Sequence, residues 1–234
     1  MKAVVVTDPP KASLDDADRL SACGLSTVHE ACGRRGYLGP RMRPVWPGAR
    51  IAGTAVTALC WPGDNWMIHV AVEQCGPGGT LVVATNSPCS DGLFGELLAT
   101  SLGARGVRGV VLACGARDVA ELQAMGFPAW STAVSAQGSV KATLGSVNGP
   151  VVVEGQLVHP GDVIVADDGV VCVARADVPR AVTVSQARLE REERNRKRFQ
   201  AGELGLDVYG MRGELQRLGL RYINHREWAA GEDV

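Results

Sequence analysis

Arg117 and Asp118 stand side by side just beyond residues 107–114, a mostly apolar run whose valines and length predict a strand buried on both faces and ended by Gly115. Residues 119–125 then have helical spacing. Ligands of open α/β sheets collect outside the carboxyl ends of strands, so a guanidinium and a carboxylate are expected there to face a cleft. The preceding segment has the same grammar: a strand over 80–85, a turn-rich loop over 86–92, and a helix beginning near Phe94 with Glu96 in its first turn. Two neighbouring strand ends thus offer Glu96, free helix N–H groups, Arg117 and Asp118 to one place. A second reading of the same residues stays open: a surface ion pair in which Asp118 caps its own helix.

Carboxylate oxygens with retained water suit Mg²⁺ or Mn²⁺, whereas zinc would need Cys and His. An ion so held could chelate a 2-oxo acid through its carboxylate and keto oxygens, with Arg117 helping to stabilise an enolate. That is what carbon–carbon cleavage releasing pyruvate requires. The competing chemistry, a Schiff-base lysine, has only Lys2, Lys11, Lys141 and Lys197 to draw on, and Lys141 alone follows a core-like segment.

Positioning such a site takes a layered α/β scaffold. An N-terminal strand precedes a short helix over 14–22. Thr27 and Glu30 have the capping-box spacing, the plain reading of Glu30. Arg34, Arg35, Arg41 and Arg43, interleaved with Gly and Pro, read as a solvated loop ahead of a carboxylate-binding patch. A strand over 50–59 leads to Asp64 as N-cap of an apolar-faced helix. His69 on that helix has no second histidine nearby and reads as a packing residue. From Phe127 onward, short strands over 129–136, 151–154, 156–159, 163–166 and 170–174 alternate with turns such as Pro160-Gly161-Asp162. Folded back on the βα layer, they predict a mixed sandwich and not a doubly wound sheet. The polar connection 135–141 is a candidate cleft wall.

Residues 177–200 form a long charged helix with a narrow seam of Val182, Gln186, Leu189 and Glu193, suited to lying on a neighbouring subunit. This suggests a sandwich over 1–176 and a helical arm over 177–234.

Composition narrows the function classes. The 234 residues, 46% hydrophobic and 21% charged, can bury a full core. A net charge of -1, with three Phe and three Tyr, gives no support to nucleic-acid binding. Seven scattered cysteines without a C-x-x-C pair fit reduced thiols in a cytoplasm. The apolar run over 3–6 is too short for a leader, and no run reaches membrane-spanning length.

Several blocks carry a resemblance: Gly95-Glu96-Leu97-Leu98-Ala99-Thr100, Gly115-Ala116-Arg117-Asp118-Val119, Ala133-Val134-Ser135-Ala136-Gln137-Gly138, Lys141-Ala142-Thr143-Leu144-Gly145 and Pro160-Gly161-Asp162-Val163-Ile164. In their order and number they resemble the 4-hydroxy-4-methyl-2-oxoglutarate / 4-carboxy-4-hydroxy-2-oxoadipate aldolases. These metal-dependent pyruvate aldolases share their fold with the regulator of ribonuclease activity A. The resemblance implies an α-β-β-α sandwich of the swivelling phosphohistidine-domain type with a C-terminal helical arm. It implies Asp118 as the one direct protein ligand of Mg²⁺ or Mn²⁺, and Arg117 on the keto or enolate oxygen. Amides around Gly95, Glu96, Leu97 and Leu98 would hold the pyruvyl carboxylate. Glu96, where the family usually has Asp, would hold the water that shuttles a proton to the pyruvate methyl carbon. Asn65, Ser139 (a usual Thr) and Glu30 match further site positions, and Glu193 matches a residue given by an adjacent subunit. A homotrimer or homohexamer with sites between subunits is implied, as is a 4-hydroxy-2-oxo acid substrate from bacterial breakdown of aromatic acids, with oxaloacetate decarboxylation as a side activity. Two rivals remain: a non-catalytic binding protein like the ribonuclease regulators, and a dedicated oxaloacetate decarboxylase.

Overall fold

Strands without a polar face must be covered on both sides, and three such runs at residues 51–60, 79–85 and 109–116 form the centre of the structure. The computed structural model describes residues 3–229. In chain order the elements are β1 (Val4–Val5), α1 (Leu14–Cys23), α2 (Leu25–Ala31), β2 (Arg43–Pro44), β3 (Ile51–Cys60), α3 (Trp66–Gln74), β4 (Gly79–Thr85), β5 (Gly92–Phe94) and α4 (Glu96–Ala104). There follow β6 (Gly109–Ala116), α5 (Val119–Ala124), β7 (Ala129–Val134), β8 (Ser146–Val147), β9 (Val151–Val153), β10 (Gln156–Val158), β11 (Val163–Ala166), β12 (Val170–Val173) and α6 (Val178–Gln200). Three short helices end the described chain: α7 (Gly205–Val208), α8 (Arg212–Arg217) and α9 (His225–Ala229).

The main sheet runs β1-β8-β3-β4-β6-β7-β2, with β3, β4, β6 and β7 parallel. β11 pairs antiparallel with both β3 and β12. Alternation along β4 and β6 divides the core. Leu81, Val83, Val110, Leu112 and Cys114 meet Ile68 of α3, Leu98 and Leu102 of α4 and Leu122 of α5 on one face. Val82, Ala84 and Val111 meet Trp130, Val151, Val153, Val158 and Ile164 on the other. With α1 packed on β3 and β11, and α2 on β12, the layers read helix, sheet, strands, helix, the mixed α/β sandwich expected.

Local expectations give way where distant partners intervene. β6 runs on through Gly115 to Ala116, because β5 and β7 both pair with that end. Phe94, expected to open a helix, pairs with Ala116 instead, and α4 starts two residues later. The Thr27–Glu30 capping box does not form: α2 begins at Leu25 after Gly24 in a left-handed conformation (φ 79°), and Thr27 is buried inside it. Its first amide is capped from across the fold, Leu25 N–H donating to Asp167 Oδ2 at 3.0 Å. The first turns of α6 bury Val178, Ala181, Val182 and Ser185, so this part of the helix has a fuller seam than expected.

The chain divides between Arg188 and Leu189, inside α6, into two compact units. The second is held locally by ion pairs of Arg198 with Glu203 and Arg212 with Asp207, both 2.6 Å, and by the Phe199 and Tyr209 rings. Among the described residues no helix is long and apolar enough to cross a membrane.

Candidate active site

The carboxyl end of β6 is built so that only glycine fits around it. Arg117 N–H donates to Phe94 O (2.9 Å) and Ser135 N–H to Ala116 O (2.9 Å), tying the strand ends together. A Cβ on Gly95 would lie 2.2 Å from Asp118 Oδ2 and 2.9 Å from Arg117 Cγ, and one on Gly92 would lie 2.4 Å from Ser135 O. The glycines therefore let the α4 N-terminus approach Arg117 and Asp118 within contact distance.

Asp118 sits in left-handed backbone (φ 56°, ψ 42°), a conformation Asp tolerates at some cost and that gathers at functional sites. It does not cap its own helix, as one reading of the sequence held. Its Oδ2 accepts instead from Glu96 N–H of α4 at 3.0 Å, placing negative charge at the positive end of a neighbouring helix. Arg117 Nε lies 3.7 Å from the same oxygen, and both side chains stay about 40% open to solvent, at 43% and 39%. By the geometry of a helix start, the Leu97 and Leu98 amides are left without intrahelical acceptors beside this carboxylate. Leu97 itself is exposed.

Glu96 is turned along its own helix, where Thr100 Oγ1 donates to Glu96 Oε1 at 2.8 Å. Thr100 was legible only through its i+4 spacing from Glu96. The connection after β7 closes over Arg117: Gly92 N–H donates to Gln137 O at 2.9 Å, and a Cβ on Gly138 would stand 3.9 Å from Arg117 Nη1. Asn65 is buried and donates through Nδ2 to Leu93 O at 3.0 Å, while its Oδ1 has no partner. A buried acceptor without a donor is what a bound polar ligand or water would satisfy. Asn65 N–H also donates to Val140 O (3.1 Å), which brings it beside Ser139.

Asp64 is the positioning residue that sequence reasoning saw only as a helix cap. Buried at 3% exposure, it accepts from Trp66 N–H at 2.9 Å through Oδ1 and from Ala142 and Thr143 N–H at 2.8 and 2.7 Å through Oδ2. Burial opposes its ionisation, but the amides outweigh burial and hold its carboxyl below the usual range. It thereby pins the 135–145 connection to the start of α3.

The structure thus gathers Gly95, Glu96, Leu97, Leu98, Arg117 and Asp118, with Asn65 and Ser139 on an adjoining wall. Glu30 is engaged elsewhere: its carboxylate pairs with Arg188 of α6 at 2.5 Å. Glu193 belongs to the second unit, where it pairs with Arg196. Among the described residues no group of three His, Cys, Asp or Glu converges as a metal cage.

Residues 12–172 match the RraA-like family, described as Aldolase/RraA. The chain belongs to the RraA-like family. A Burkholderia multivorans relative, provisionally named 4-hydroxy-4-methyl-2-oxoglutarate aldolase, is 34% identical over 153 residues, covering 64% of this chain and 93% of its own. A relative of the same provisional name from Halalkalibacterium halodurans is 21% identical over 200 residues, covering 85% and 95%. Among solved structures, Streptomyces coelicolor RraAS2, described as an unusual member of the RNase ES inhibitor RraA family, superposes with a TM-score of 0.69. It is 27% identical and covers 80% of this chain and all of its own. An uncharacterized Pseudomonas syringae protein shares the fold at TM-score 0.74 and 23% identity, over 86% of this chain and 100% of its own.

Proposed function

We propose that this RraA-like chain is a divalent-metal-dependent pyruvate aldolase. Its substrate would be a 4-hydroxy-2-oxo acid such as 4-carboxy-4-hydroxy-2-oxoadipate or 4-hydroxy-4-methyl-2-oxoglutarate, split into pyruvate and a second 2-oxo acid. The observation that carries this reading is the left-handed Asp118, strained against the α4 N-terminus with Arg117 beside it. Structural convenience gives little reason to hold a carboxylate, a guanidinium and unpaired helix amides together, half open to solvent, at a strand end.

The donor set fits a hard cation. Asp118 supplies carboxylate oxygen with room for water around it, as Mg²⁺ or Mn²⁺ prefers. Such an ion, when bound, stabilises the negative charge that builds on the keto oxygen as the carbon–carbon bond breaks. The chain's own groups do the rest. The Leu97 and Leu98 amides and the helix dipole receive the pyruvyl carboxylate. The Arg117 guanidinium donates to the developing enolate oxygen. The Glu96 carboxylate, once released from Thr100, exchanges a proton through water with the pyruvate methyl carbon. The orphaned Asn65 Oδ1 and the Ser139 hydroxyl serve the rest of the substrate. Glu30 is assigned to the catalytic set, and Glu193 to a site completed by a second copy, in a homotrimer or homohexamer whose contacts include the arm.

A non-catalytic role has support of its own, because RraAS2, an inhibitor-family protein, has this fold at higher identity than the Pseudomonas syringae structure. Pyruvate release separates the readings. With 4-carboxy-4-hydroxy-2-oxoadipate or oxaloacetate, Mg²⁺ should support turnover and EDTA should abolish it. Inactivity with both acids and Mg²⁺ would favour the binding role, and a large preference for oxaloacetate would favour a decarboxylase.

A further inference from the structure

Seven cysteines are free, and the aldolase reading uses none of them. Three gather beside the candidate site. Cys60 ends β3 and Cys114 lies in β6; both are buried in one apolar cluster, and Cys89 packs against that cluster from outside. Two turns meet there: Asn86 N–H donates to Cys60 O at 3.1 Å, and Gly63 N–H donates to Cys89 Sγ at 3.4 Å. Cys89 is half-buried, and it lines an open cleft of about 650 Å³ with Asn86, Ser87 and Ser90. It is therefore the thiol of the three that a small solute in that cleft can reach. Burial pushes the Cys60 thiol up to about 12, with Asp64 and Cys89 adding to the shift, and burial likewise pushes the Cys114 thiol well above the ordinary thiol value. Neither buried thiol is a nucleophile toward solutes in its own right.

Cys89 also sits on the segment that shapes the site. One and two residues on, Ser90 O and Asp91 O lie so close to Gly115 that a Cβ there would meet them at 2.3 and 2.7 Å, and Gly115 N–H donates to Asp91 O at 3.0 Å. Gly115 is two residues before Arg117 and three before Asp118. On the other side, Gly63 is two residues before Asn65. A sulfur that leaves Gly63 for the core must drag Ser90 and Asp91 against a strand end with no slack.

We propose that Cys89 is a peroxide-reactive modification site, and that Cys60 resolves it to an intramolecular disulfide that distorts the neighbouring site. The Cys89 thiolate attacks one oxygen of the peroxide and the O–O bond breaks; the departing hydroxide takes up the proton that the thiol had released, so Cys89 sulfenic acid and water form. The Cys60 sulfur then displaces the sulfenic oxygen, its proton leaving with that oxygen as a second water. Two electrons pass from the sulfurs to the peroxide. Bond formation itself is independent of the aldolase reading; only the expected loss of turnover rests on it.

The test treats the full-length protein with hydrogen peroxide, counts free thiols under denaturing conditions, and maps linked peptides by mass spectrometry, with dithiothreitol reversal. The expected result is a fall from the seven thiols of the sequence to five, a peptide joining Cys89 to Cys60, and pyruvate formation reduced at least about tenfold and restored by dithiothreitol. Cys89→Ser should keep its remaining thiols and its activity under peroxide, whereas Cys32→Ser, removing the other half-buried thiol, should still form the link. Retention of all seven thiols, a link that excludes Cys89, or an undiminished link in Cys89→Ser would overturn the proposal. Linkage without loss of turnover in an active enzyme would refute the coupling to the site. Linkage in a protein that never shows turnover would leave the modification site standing and count against the aldolase reading.

Discussion

Replacing Asp64 by Asn keeps the size of the side chain and removes the charge that pins the 135–145 connection. The carboxylate accepts three backbone N–H groups at 2.7 to 2.9 Å. An amide has one acceptor oxygen, so either Trp66 N–H or the Ala142 and Thr143 pair must face an NH₂ group, and the bonds that survive lose their charge. Hydrogen bonds to charged groups contribute about 1.5 to 3 kcal/mol each, and losing one outright while weakening the others should cost about 3 kcal/mol. For a chain of this size that lowers Tm by roughly 6 to 12 °C. The Asp64 carboxyl titrates below its unfolded value of about 3.9, so its contribution is complete above that pH and lost as pH falls through the lower folded value. The gap between the proteins should accordingly be constant from neutral pH down to about 5 and close in stronger acid. Thermal melts across pH, with hydrogen exchange at Ala142 and Thr143, measure both effects. Unchanged Tm at neutral pH with intact protection of those two amides would refute the reasoning.

Gly95→Ala should abolish turnover while the protein stays folded, because the new methyl would meet Asp118 Oδ2; pyruvate release with a circular-dichroism control checks it. Arg117→Ala should lower kcat/KM by about 3 kcal/mol, or roughly a hundredfold, as for other oxyanion donors. Glu193→Ala should impair turnover, and mixing it with an Asp118→Asn chain should partly restore activity if sites are completed between copies. No recovery after subunit exchange would count against a shared site.

The parts legible in the sequence were those governed by nearest neighbours. Apolar, valine-bearing runs announced β4, β6 and the short strands after Phe127, and a guanidinium–carboxylate pair past a buried strand pointed to the candidate site. What escaped were contacts closed from far along the chain. Asp167 caps α2 from 142 residues away, which no local capping pattern could announce. Asp118 has the residue type and place of a cap for α5, yet its left-handed backbone turns its carboxylate onto α4, and only the packing of two strand ends decides between those partners. Phe94 looked helical because its apolar neighbours continue into α4; its pairing with Ala116 depends on β6 extending past Gly115. Asp64 was seen as a helix cap, and its hold on Ala142 and Thr143 required the fold.

The central claim, that Asp118 holds a divalent cation next to a charge-stabilising Arg117, is most directly tested by titrating Mg²⁺ or Mn²⁺ calorimetrically into the wild-type protein and into Asp118→Asn in the presence of pyruvate. Saturable binding by the wild type, lost or weakened at least tenfold in the variant, is the predicted result. Equal cation affinity in the two proteins would contradict it.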